Sequence, residues 1–259
     1  MSTRETGTAS TQAPLVTVVS ASGGVGKSTI ALLSAWLAAA AGISTALVEA
    51  DLQFGDYGYW LGLDDELPNL SAGMACEPVH LAENLVLYKA PCLPEVAEEV
   101  ADDVAHLAQA MRRAYALVIA DTGGFWSGLT ADLAVNASLL ANVMDARPSS
   151  VMGALRAQEL CSRIGVASSR CVPVYNRYSG KARMSAREVA SVLRVEDVHC
   201  IADGRSVVDA LLTVGSIEEL VDSGNAIVRG IDDLLSTLLP RVGCLYTGAV
   251  SHERRGLLR

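Results

Sequence analysis

The sequence predicts an α/β fold: a doubly wound, mainly parallel β-sheet flanked by helices. Three observations predict it. Apolar runs of strand length recur at Leu15–Val19, Ser44–Val48, Asn84–Lys89, Ala116–Ala120, Ser138–Met144 and Cys171–Tyr175. These runs are apolar nearly throughout instead of alternating, as strands covered on both faces must be. Helical patterns lie between them, and that alternation is the mark of strand–helix–strand units.

The first run leads into Ser20–Thr29, SASGGVGKST, and then into an apolar segment, Ser28–Ala41, with Gly42 as its stop. Strand, glycine-rich turn and helix in this order form a phosphate-binding loop. Glycines let backbone N–H groups close around phosphate oxygens, and the helix N-terminus adds a favourable dipole. Gly23, Gly24, Val25, Gly26, Lys27, Ser28 and Thr29 are the candidate phosphate ligands. Lys27 reaches the β- and γ-phosphates in this arrangement, and the Ser28 hydroxyl ligates Mg²⁺. The general pattern has a glycine six residues before the lysine, where this chain has Ala21.

Thr45–Asp56, TALVEADLQFGD, ends the second strand in Glu49 and Asp51. Residues two apart on a strand share a face, so both carboxylates are expected to point into one cleft. One of them can orient a water towards the γ-phosphate. Tyr115–Gly124, YALVIADTGG, carries Asp121 at the end of a buried strand, the placement of an aspartate that holds Mg²⁺ directly or through water. In Val172–Arg177, VPVYNR, the Asn176 amide offers a donor and an acceptor, the pair that adenine requires. Two further helices are amphipathic. Glu95–Arg113 places Val96, Val100, Val104, Leu107 and Met111 on one face, and Ser223–Leu239 does the same with Ile227, Ile231, Leu234 and Leu238.

Together these elements resemble the MinD/ParA class of P-loop ATPases. Within that class, DLQFGD at Asp51–Asp56, the stretch from Ala90 to YALVIADTGG, and CIADGRSVVDALLTVGS at Cys200–Ser216 are similar to the CpaE/TadZ family of Flp/Tad pilus assembly proteins. The resemblance spans about residues 14–240 and implies a residue-by-residue assignment. Gly23–Thr29 bind phosphate, and Ser28, Asp51 and Asp121 serve Mg²⁺. Asp51 positions the attacking water beside Lys27, and Asn176 reads adenine. It further implies ATP and Mg²⁺ as ligands, a homodimer, partners in pilus or secretion assembly, and a place in the cytoplasm at the inner membrane face or a cell pole. The class carries a second lysine just before its glycine pair, directed at the partner subunit's phosphates. Here that position is Ser22, so slow or absent hydrolysis is expected. Arg147 and Arg177 are the candidate substitutes. Other functions are open: a division-site or partition ATPase, or a non-enzymatic scaffold that holds a nucleotide.

Composition narrows these choices. The chain has 259 residues, 51% of them apolar, with a mean hydropathy of +0.32, so a large core is expected. The net charge of −9 lacks the basic footprint of general DNA binding, so no nucleic-acid partner is expected. The six cysteines show no CxxC spacing and are expected as reduced, buried thiols. Residues 1–14 are expected as a loose, disordered segment, 15–240 as one ATPase domain and 241–259 as a tail. Its last residues, SHERRGLLR, suit at most weak contact with a membrane surface.

Overall fold

The computed structural model describes residues 12–71, 76–213 and 215–250. Eight strands form one sheet: β1 (Leu15–Val19), β2 (Thr45–Ala50), β3 (Val79–Ala82), β4 (Leu85–Tyr88), β5 (Leu117–Thr122), β6 (Leu139–Met144), β7 (Cys171–Tyr178) and β8 (His199–Ala202). Their order is β3-β4-β2-β5-β1-β6-β7-β8. Every pairing is parallel except β3 with β4. The chain winds outward to one side of β1 through β2 and β4, and to the other through β6, β7 and β8. The carboxyl end of β1 is therefore where the winding reverses, the place where open parallel sheets bind ligands.

All six expected strands are present. β3 and β8 were not foreseen. Each is a four-residue edge strand, VHLA and HCIA, with mixed exposure and no sustained apolar run.

The helices are α1 (Lys27–Ala40), α2 (Tyr57–Trp60), α3 (Ala97–Ala114), α4 (Gly128–Asn136), α5 (Pro148–Arg163), α6 (Ala186–Leu193), α7 (Arg205–Thr213), α8 (Ile217–Asp222) and α9 (Ala226–Leu238). α1 and α9 pack on each other and cover one face of the sheet. α3, α4 and α5 cover the other. In α9 all four predicted residues are buried. In α3, Ala97 and Ala108 turn inward with Val100, Val104 and Met111, while Val96 and Leu107 are only partly covered. A short 3₁₀ turn at Pro94–Val96 precedes α3, which therefore starts at Ala97 and not at Glu95.

The described ends of the chain are pinned. The Ala13 N–H donates to the Arg112 carbonyl, and Arg112 Nε donates back to the Ala13 carbonyl at 2.7 Å. Beyond α9, Cys244 and Tyr246 are buried, and buried Asp232 accepts from the Tyr246 hydroxyl and the Ala249 N–H. Residues 1–11 and the basic SHERRGLLR segment lie outside the described residues. Among the described residues no helix is long and apolar enough to cross a membrane. The six cysteines are free thiols, but only Cys161 and Cys244 are buried. Cys92 and Cys200 are exposed, because they fall in a loop and on an edge strand.

Candidate functional site

The loop between β1 and α1 owes its shape to glycine at two positions. Gly24 has φ 69° and Gly26 has φ 90°, left-handed values that a side chain would strain. Gly26 is also crowded: a Cβ there would sit 2.4 Å from Asn176 Nδ2. Gly26 is the N-cap of α1, so the N–H groups of the helix's first turn are left for a ligand. Gly23–Thr29 line one wall of a cavity of about 410 Å³, open at the end of the sheet where β1 terminates.

Acids, Arg177, Trp60, Gly124 and Leu212 furnish the rest of this cavity. Asp51 and Asp56 line it opposite the loop. Asp51 lies one residue beyond β2, where its Oδ1 accepts from the Phe54 N–H at 3.2 Å. Asp56 precedes α2. Burial raises its pKa, the nearby Asp51 charge raises it further, and Lys27 opposes both. Asp121 sits beneath, almost wholly buried in β5. Burial pushes it up to about 6 against the pull of Lys27 and the neighbouring hydroxyls of Ser28 and Tyr57. Its Oδ1 is buried without a hydrogen-bond partner. An orphaned carboxylate oxygen beside a hydroxyl, with two more carboxylates nearby, is a hard-oxygen set that suits Mg²⁺.

Glu49 does not share the cleft with Asp51. It is 2% exposed, and its two oxygens accept from the backbone N–H groups of Tyr57 (2.8 Å) and Ala90 (2.9 Å). Desolvation dominates over these bonds and lifts its pKa to about 7. β2 ends at Ala50, so strand alternation no longer governs Asp51. Glu49 is thus a tether between the start of α2 and the end of β4. Tyr57 completes the tether. Its ring is fully buried, and its hydroxyl donates to the Ser28 carbonyl at 3.0 Å.

On the other side of the loop, Asn176 Nδ2 donates to the Val25 carbonyl at 2.8 Å, while its buried Oδ1 has no partner. Asn176 lines a second cavity of about 330 Å³ with Gly26, Thr29 and Arg177. Arg147, which precedes α5, donates from Nη2 to the Gly23 carbonyl at 3.0 Å. Ser22 holds its carbonyl to the Ser20 hydroxyl at 2.8 Å and faces Gly153 of α5.

A sequence profile of the CobQ/CobB/MinD/ParA nucleotide binding domain matches residues 16–243. The chain belongs to that family. Among solved structures the fold is similar to a ParA family ATPase from Chlorobium tepidum (20% identity, TM-score 0.73, 87% of this chain and 99% of that one). It is also similar to the septum site-determining protein MinD from Pyrococcus horikoshii, solved with Mg-ADP (16%, 0.73, 85% and 93%). A third is the MinC:MinD cell division complex of Aquifex aeolicus (18%, 0.69, 86% and 96%). At such identities the likeness carries the fold. No curated protein matches significantly.

For this MinD/ParA-type domain, the structure gathers Gly23–Thr29, Asp51 and Asp121 at one end of β1 and β5. Asn176 stands at the outer side of the loop. Sequence reasoning passed over Asp56 and Tyr57. DLQFGD already held Asp56, but its approach to Lys27 depends on the turn before α2. Tyr57 left no signal, because its role is set by burial under α1.

Proposed function

We propose that this chain is an ATP- and Mg²⁺-binding switch that turns over slowly, and that its loaded form pairs with a second copy to act as a localisation landmark for Flp/Tad pilus assembly. The observation that carries nucleotide binding is the orphaned Asp121 oxygen beneath a glycine-shaped loop whose helix starts at Lys27. In this reading the N–H groups of Gly24–Thr29 and the Lys27 ammonium hold the phosphates. Ser28 and Asp121, with Asp51, hold Mg²⁺, which neutralises phosphate charge when bound. Asp51 orients a water whose oxygen bonds to the γ-phosphorus as the bond to the β-phosphate oxygen breaks, the proton passing to solvent. One of the two Asn176 Nδ2 donors is committed to Val25, and its unpartnered Oδ1 accepts from the exocyclic amino group of adenine.

DLQFGD and the 200–216 segment favour the pilus role. A division-site or partition role is the second reading, favoured by the likeness to MinD and ParA structures. Titration with a fluorescent ATP analogue, with Lys27→Ala as control, tests the first step; no binding at millimolar concentration leaves only a scaffold. Loss of piliation and of polar pilus clusters on gene deletion supports the pilus role. Intact piliation with misplaced septa or lost plasmids supports the second reading.

A further inference from the structure

Arg147 is held as if for a purpose that the nucleotide cradle of its own chain does not use. Nε donates to both oxygens of Asp145, at 3.0 and 2.8 Å, and the backbone N–H adds a bond at 3.1 Å. Nη2 binds the Gly23 carbonyl. The Nη1 donors make no hydrogen bond among the described residues. The Asp145 side chain is only 10% exposed, whereas that of Arg147 is 55% exposed, so a buried anchor carries an open cation. A surface ion pair of this kind adds little stability. It does remove the rotamer freedom that an arginine otherwise loses on meeting a ligand.

The direction is informative. Arg147 does not line the cavity that holds Lys27, whereas Arg177 does. The carbonyls of a phosphate loop face outward while its N–H groups converge on the anion, so a guanidinium bonded to Gly23 stands on the outer rim. The chain's two phenylalanines border the same end of the sheet. Phe54, after β2, is 74% exposed and Phe125, after β5, is 79% exposed. Aromatic residues and arginine are the types enriched where proteins meet. With a net charge of −9, a cation on one copy that meets phosphates on the other offsets part of the repulsion between them.

We infer that Arg147 is an arginine finger for the triphosphate bound by a second copy of this chain. The inference rests on the paired form proposed above. The free edge of the guanidinium fork bonds two phosphate oxygens across the contact and supplies the cation that Ser22 cannot. Asp145 keeps the fork presented.

The test uses full-length chain labelled for energy transfer, in AMPPNP with Mg²⁺. Arg147→Ala is expected to weaken self-association about tenfold or more, while AMPPNP affinity of the dilute single chain stays within about twofold. Arg147→Lys, which keeps the charge and loses the fork, is expected to fall between. Mixing Lys27→Ala with Arg147→Ala creates one site with nucleotide on one copy and Arg147 on the other. This mixed pair is expected to be tighter than Arg147→Ala with itself. Self-association of Arg147→Ala equal to wild type overturns the finger and leaves pairing standing. A mixed pair no tighter than Arg147→Ala alone overturns its action across the contact. Wild type that binds AMPPNP yet stays single removes the pairing, and the finger with it.

Discussion

The two flanks of the phosphate loop are built on opposite principles. On the β2 and β5 side, Glu49, Tyr57 and Asp121 are all buried, and each touches the loop or the segment that carries Asp51 and Asp56. On the β6 side, Arg147 is exposed and meets the loop through a single bond to Gly23. The difference teaches which flank ties the site to the fold. The buried flank cannot change without altering the core, whereas the exposed one can be replaced at little cost to folding.

The largest effect that can break this contrast is Tyr57→Ala. Removing a fully buried aromatic ring costs about 3–5 kcal/mol, read by urea unfolding. Arg147→Ala leaves Asp145 its backbone bond and is expected to cost about 1 kcal/mol or less. Equal losses in the two variants would end the distinction.

A pH series sharpens it. The folded-state pKa of Glu49, about 7, lies above its ordinary 4.5, so the native state holds its proton longer than the unfolded chain. Stability from this carboxyl is full below pH 4.5 and falls through pH 7, by about 3 kcal/mol in total. Asp121 acts with the same sign at lower pH. Unfolding of nucleotide-free protein from pH 4.5 to just above 7, against Glu49→Gln, measures this contribution. Slopes that match in the two proteins would remove Glu49 from this account.

Lys27→Ala comes next and separates binding from folding. Loss of a charged phosphate contact weakens ATP-analogue affinity roughly a hundredfold, about 3 kcal/mol, with unfolding little changed. The smallest effect belongs to Tyr57→Phe. It keeps the ring and loses the bond to Ser28, for about 1 kcal/mol of stability. A loss as large as that of Tyr57→Ala would mean that the hydroxyl, not the ring, supports the loop.

The fold was legible where local pattern and tertiary placement agree. Six strands announced themselves because strands buried on both faces are apolar at nearly every position, and α1 because glycines bracket it. The edge strands β3 and β8 were silent because each is short and mixes buried with exposed residues. At the site, Lys27 and Asp121 were readable, since each follows or ends an unmistakable strand. The pairing of Glu49 with Asp51 misled, because alternation stops where the strand does, at Ala50. Tyr57 and Arg147 act across sequence separations of 29 and 124 residues, which no periodicity encodes.

The Asn176 bond to the Val25 carbonyl has a consequence for timing. It welds the loop after β1 to a strand two places away, against a glycine with no room for a side chain. A ligand arriving at such a loop meets a finished mould. Little chain must freeze on contact, so the ordering entropy was spent when the protein folded. Capture is then expected to lose little to loop ordering, which leaves the slow events to whatever must later let go.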